Sequence, residues 1–227
     1  MAAAGIGGTV SFAGRVERPA PHALPRRIGG FGGPKGLAAY IRAEGITHLV
    51  DATHPFAARM SRNAVEAAGM TETPLVALTR PPWEAGPGDE WHAVPDVAAA
   101  VRWLDRPAMR VMLAVGRMHL GDFAANPQHA YLLRLVDEPG PLPFAEAETV
   151  VSRGPFTLEG DRALMERHGT QLVVAKNAGG AGARAKIDAA RALGLPVLMI
   201  ARPDLPERAE AATPGEVLDW LHAERGV

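Results

Sequence analysis

Short apolar runs of strand length alternate along the chain with Ala-rich stretches of helical length. The runs cover 8–13, 48–52, 74–80, 90–94 and 110–116, then 131–136, 149–154, 171–177 and 196–203. Helical patterns fall between many of them, at Gly36–Glu44, Pro55–Ala68, Asp96–Leu104, Thr157–His168, Ala181–Leu193 and Pro214–Ala223. Strands that are apolar throughout belong to parallel sheets covered by helices on both faces. The expected fold class is therefore α/β with mostly parallel sheets. Pro55 fits the first position of a helix capped by Thr53 or His54, while Gly69, Gly169 and Gly194 stand where helices should stop.

The connection Pro81–Glu90 is rich in Pro and Gly and puts a domain boundary between Pro81 and Pro107, set at Val94. This divides the chain into 1–94 and 95–227. Its opening departs from the doubly wound pattern, in which a strand and a Gly-rich phosphate turn precede the first helix. Here "MAAAGI" reads as the last turn of a helix and a strand follows at once. The N-terminal domain is expected to lack its first strand and Gly-rich turn.

Composition narrows the classes. The chain has 227 residues, with 24 basic against 25 acidic side chains, so it lacks the basic excess of a nucleic-acid or membrane-surface binder. There is no cysteine, which removes disulfides, thiolate metal ligands and a cysteine nucleophile. No apolar run has transmembrane length and no secretory leader opens the chain, so a soluble, cytoplasmic protein is expected. No Gly-x-Ser-x-Gly or Walker-type Gly-Lys-Ser/Thr is present.

The chemistry lies at strand ends, where open α/β sheets bind ligands. Arg15, Asp51 to His54, Arg80, Arg117, Arg134, Arg153, Lys176-Asn177 and Arg202 all fall there. Each cation alone is ordinarily a solvated surface charge. As a set converging on one rim they would repel one another without an anionic partner, so the ligands are expected to carry several negative charges. Arg15 follows what would be the second strand of a dinucleotide fold, where an Arg accommodates the extra phosphate of NADP. Gly29, Gly30, Phe31, Gly32 and Gly33 form a glycine cluster opening a helix, either an anion-facing loop or a set of tight turns.

"LVDATHPFA" (49–57) ends a strand in an acid, a hydroxyl and an imidazole. No His or acid at i, i+4 from His54 completes a metal site, and no metal is expected. A dinucleotide crossing the strand ends would put this loop beneath its ribose and nicotinamide, with Asp51 and Thr53 bonding hydroxyls or the carboxamide. Lys176 and Asn177 end a strand before Gly179-Gly180, a turn that either approaches a ligand carboxylate or simply needs two glycines.

Several segments in order resemble the precorrin-6A reductase family of cobalamin biosynthesis. They are "GGFGG" (29–33), "VDATHPFA" (50–57), "TRPPW" (79–83), "VGR" (115–117), "SRGPF" (152–156), "KNAGG" (176–180) and "AKIDAARALGLPVLMIARP" (185–203). The resemblance spans essentially the whole chain. It implies two Rossmann-like domains facing a central cleft, and NADPH-dependent reduction of one double bond of precorrin-6A to give precorrin-6B. It casts 1–94 as the NADPH-binding domain and 95–227 as the source of substrate contacts.

On that basis the expected cofactor contacts are Arg15, Gly29, Gly30, Phe31, Gly32, Gly33, Asp51, Ala52, Thr53, His54, Pro55, Phe56 and Arg80. Arg117, Arg134, Arg153, Lys176, Asn177, Gly179 and Gly180 are expected to meet substrate carboxylates. Lys176 and His54 are the side-chain candidates for proton delivery, with water as a third source. Ala178 stands where the family-like motif has serine. The expected partner is a small tetrapyrrole, with no nucleic acid or membrane, in a monomer or weak homo-oligomer. Two readings remain beside this one: an NADPH-dependent reductase of a smaller carboxylated metabolite, and a non-catalytic two-domain binder of an anionic metabolite.

Overall fold

The computed structural model describes residues 1–12, 23–135, 137–138, 140–152 and 154–225. Its strands and helices run β1 (Val10–Phe12), β2 (Arg26–Ile28), α1 (Pro34–Ala43), β3 (Leu49–Asp51), α2 (Ala58–Thr71) and β4 (Leu75–Leu78). Then follow β5 (Trp91–Val94), α3 (Val97–Trp103), β6 (Arg110–Ala114), α4 (Leu120–Phe123), β7 (Ala130–Leu135) and β8 (Ala147–Val151). The remaining elements are α5 (Leu158–His168), β9 (Leu172–Lys176), α6 (Ala185–Ala192), β10 (Val197–Ile200), β11 (Ala209–Ala211) and α7 (Pro214–Arg225). Every strand pair among the described residues is parallel, as the unbroken apolar runs require.

The chain divides into two compact units, one made of Met1–Thr79 with Leu205–Val227 and the other of Arg80–Asp204. This differs from the division at Val94. Strand β5 pairs with β10 and so belongs to the second unit, and β11 pairs with β4 and returns the C-terminus to the first. Sheet pairing between segments far apart in sequence leaves no mark in local composition, which is why the Pro/Gly-rich connection misplaced the boundary.

In the first unit a three-stranded sheet has the order β11-β4-β3, beside a two-stranded pair β1-β2. Strand alternation sends Leu49 and Leu75 toward α1 and α2, where they pack with Leu37, Ile41 and Ala67. Val50 and Val76 point the other way, onto Ile6, Val217 and Leu221. The opening residues do form a turn of helix, Ala2–Ala4, closed by Gly5 at φ 67°. Helix α2 begins at Ala58 rather than at Pro55, and runs through Gly69 to a left-handed Glu72.

The second unit is a six-stranded sheet ordered β5-β10-β9-β6-β7-β8. Met112, Leu132, Val173 and Met199 face Leu164, Met165 and Ile187 of α5 and α6. Arg134 shares that face, two residues beyond Leu132 on β7. Its guanidinium pairs with Asp161 on α5 and lies 3.9 Å from the centre of the Phe156 ring. Lys186, on α6, is 4% exposed, donates to the Ala183 carbonyl and sits over Trp83.

Burial, together with the nearby Arg134 cation, pushes the Lys186 ammonium down to about 7 from its ordinary value of 10.5. Between those values the unfolded chain holds a proton that the folded chain has released, so stability rises with pH across that window. Lys186→Met should therefore stabilise the protein by roughly 1–3 kcal/mol at pH 7. In urea unfolding of both proteins this advantage should shrink steadily toward pH 10, and an advantage independent of pH would contradict the assignment.

Candidate functional site

In the first unit β3 ends in Asp51, whose carboxylate is buried. One oxygen, Oδ1, accepts from the Thr53 backbone N–H at 3.1 Å and from the Thr53 hydroxyl at 2.7 Å. The other, Oδ2, accepts from Arg208 at 3.0 Å, in a pair whose side chains are 7% (Arg208) and 3% (Asp51) exposed. Asp51 was expected to bond a ligand, but both its oxygens are committed to the protein. Thr53 lies 3.3 Å from Ser61 of α2, hydroxyl to hydroxyl. His54 Nδ1 accepts the Phe56 N–H, so this imidazole closes the turn in front of α2 instead of capping the helix. Ala52, Thr53 and His54 are exposed, while Pro55 and Phe56 are half-buried.

The glycine cluster leads into α1, with Gly33 as N-cap and Pro34 at the first position. Gly29, Gly32 and Gly33 have φ of 117°, 78° and 94°, which side-chain-bearing residues rarely adopt. Arg27 holds the loop. It donates to the carbonyls of Gly29 at 2.5 Å and Gly30 at 2.8 Å, and its guanidinium lies 3.9 Å from the centre of the Phe31 ring. A side chain added at Gly29, Gly30, Gly32 or Gly33 would meet nothing within 4 Å, so this side of the loop is open. An open glycine loop at a helix N-terminus, braced by a cation, suits a phosphate-bearing cofactor.

In the second unit β9 ends in Lys176. Burial lowers its ammonium from 10.5 to about 8, and Asp122 opposes the shift. Asn177 follows, and its amide is held by the Trp83 backbone. Oδ1 accepts the Trp83 N–H at 2.7 Å and Nδ2 donates to the Trp83 carbonyl at 2.9 Å. The Trp83 indole N–H in turn donates to the Gly180 carbonyl.

Gly179 and Gly180 have φ of 69° and 71°. A Cβ at Gly179 would strike the Pro81 carbonyl and the Arg202 guanidinium; one at Gly180 would strike the Arg80 stem. Arg202 donates to the carbonyls of Asn177 and Ala178. The two glycines thus let segment 80–83 and Arg202 close on the loop, where a ligand approach was one expectation.

The expected residues therefore separate. Asp51 and Thr53 come together, as do Lys176, Asn177, Gly179, Gly180 and Arg202. Arg80, grouped with the cofactor side in sequence, lies in the second unit beside Gly180. Arg134 is not a rim cation, because strand alternation turns it beneath α5 toward Asp161. Arg117 is exposed just after β6. Arg15 and Arg153 lie outside the described residues.

Sequence reasoning missed Arg208, Arg27 and Trp83 as anchors. Arg208 carried no local signal, since β11 is three residues long.

The chain matches the family described as "Precorrin-6x reductase CbiJ/CobK" over residues 1–222. This chain belongs to the precorrin-6x reductase family. It is accordingly an oxidoreductase. The precorrin-6A reductase of Rhodobacter capsulatus is 54% identical over 222 residues, 97% of this chain and 88% of the relative. That of Rhodococcus erythropolis is 44% identical over 206 residues, 91% and 83% of the two chains. The cobalt-precorrin-6A reductase of Priestia megaterium is 30% identical over 196 residues, 82% of this chain and 76% of that one. A solved structure titled "CobK precorrin-6A reductase" superposes with a TM-score of 0.91 at 54% identity, over 96% of this chain and 87% of that one. The α/β fold with parallel sheets is thus that of a precorrin-6x reductase.

The Gly179 contacts are backbone-limited and give a direct check. Gly179→Ala should cost about 2–4 kcal/mol in urea unfolding. Gly182→Ala, where an added Cβ meets nothing within 4 Å, should stay within about 0.5 kcal/mol.

Proposed function

We propose that the chain reduces one double bond of the tetrapyrrole precorrin-6A, giving precorrin-6B, with NADPH as the reductant. The observation that carries the reading is the 54% identity to a precorrin-6A reductase across nearly the whole chain. The metal-free substrate is favoured because the relatives named for precorrin-6A are 43–54% identical and those named for cobalt-precorrin-6A are 29–30%.

The open glycine loop 29–33 and the loop 51–56 are the cofactor's seat in this reading, with Arg15 toward the ribose phosphate. NADPH supplies a hydride when bound. The second unit contributes the substrate contacts, from Arg117, Arg153 and Lys176. Lys176 delivers the proton from Nζ to the carbon next to the one that is reduced, and solvent restores it. Its ammonium, lowered to about 8 by burial, is still mostly protonated at neutral pH yet a better acid than an ordinary lysine. Positive charge at this strand end also favours the electron-rich transition state. Asn177, Gly179 and Gly180 shape the loop that presents Lys176.

Absorbance at the NADPH band, with anaerobic precorrin-6A, should show oxidation of one equivalent of NADPH per tetrapyrrole. No oxidation with precorrin-6A would refute the reading. A protonated Lys176 is the active form, so kcat should fall as pH rises through about 8. Lys176→Met should lower kcat by roughly 100-fold or more and abolish that alkaline limb. An unchanged pH profile in the variant would exclude Lys176 as the donor.

A further inference from the structure

Asp51 accepts two bonds from Thr53 on one oxygen and one from Arg208 on the other. A hydroxyl has one proton and two lone pairs. The Thr53 proton goes to Asp51, because a carboxylate paired with a guanidinium can only accept. The 3.3 Å contact with Ser61 must then use the Ser61 proton, which occupies one Thr53 lone pair. The second lone pair remains, on an exposed residue at the end of a parallel strand. Thr53 therefore offers an acceptor and no donor.

Arg208 is what keeps this arrangement. Without its guanidinium the Asp51 carboxylate would be buried with only Thr53 as partner, a buried charge without a counter-ion, and would be driven to move away from the Thr53 hydroxyl. Arg208 reaches Asp51 from the residue before β11, across 157 positions of sequence, within the first unit.

We propose that Arg208 is a positioning residue that acts through Asp51 to set the Thr53 hydroxyl as a hydrogen-bond acceptor for a donor on the nicotinamide half of the cofactor. This rests on the NADPH reading above. The donor is an N–H of the carboxamide or an O–H of the adjoining ribose, and the acceptor role of Thr53 is common to both.

Calorimetric titration of the unsubstituted chain with NADPH, and with its 3-acetylpyridine analogue carrying a methyl ketone for the carboxamide, reads binding without turnover. Thr53→Val should weaken NADPH about tenfold, the value of one hydrogen bond. If the analogue is spared, the carboxamide is the donor; if it weakens equally, the ribose hydroxyl is. NADPH affinity within twofold of the unsubstituted protein would overturn the proposal while leaving the cofactor reading intact.

Replacing the ion pair with apolar side chains in Asp51→Leu/Arg208→Met avoids stranding a buried charge, and circular dichroism checks that the fold is kept. This double variant should also bind NADPH about tenfold more weakly, and adding Thr53→Val should produce no further loss. A further full loss in the triple variant would overturn the role of Arg208. Arg208→Lys keeps the charge but not the fork of donors. It should fall between the two, and it supplies the readout should the double variant fail to fold; wild-type affinity in Arg208→Lys would count against the proposal. No NADPH binding by the unsubstituted chain would overturn the cofactor reading, and this proposal with it.

Discussion

A polar group at the end of a buried parallel strand has to be answered by a partner inside the protein, and that constraint organises both units. Strands covered on both faces bring their last residues out of water before the loop begins. Asp51 is answered by Thr53 and Arg208, Arg134 by Asp161, and Asn177 by the backbone of Trp83. The Arg202 guanidinium is answered by two loop carbonyls. These pairings give the loops defined shapes, because each loop must come close enough to supply the partner.

The same constraint divides the cations by role. Arg134 and Arg202 look alike in sequence to Arg117, each at or near a strand end, but their guanidiniums brace the protein. Lys186, buried, and Lys176, half-buried, respond differently from these arginines. An ammonium carries no delocalised fork and loses more on leaving water, so burial draws Lys186 to about 7 and Lys176 to about 8. Lys186 lies under α6 against Trp83, where a lowered value is a stability liability. Lys176 ends a strand of the second unit, where the same shift is what the proposed proton-donor role draws on.

Much of the architecture was legible because periodicity reports burial. All nine apolar runs overlap a strand, and the six helical patterns each overlap a helix. Asp96 and Thr157, the first residues of two of those patterns, are the N-caps of α3 and α5. The elements that escaped notice are short or polar: β2 is Arg26–Ile28, β11 is Ala209–Ala211 and α4 is Leu120–Phe123. Three or four residues carry no period, and tertiary pairing alone makes them regular. The boundary error has the same origin, since β11 joins the first unit only through its ladder with β4.

The sequence by itself determined the α/β class, the parallel sheets and the chemically rich strand ends. It carried the family as well, through long motifs in a fixed order, "DATHPFA" among them. Only the tertiary structure decided which of those side chains bond within the protein. The distinction depends on partners such as Arg208, 157 residues from Asp51, and Trp83, 94 residues from Asn177. A hydrogen bond is a relation between two places in space, and one strand's pattern records only its own burial.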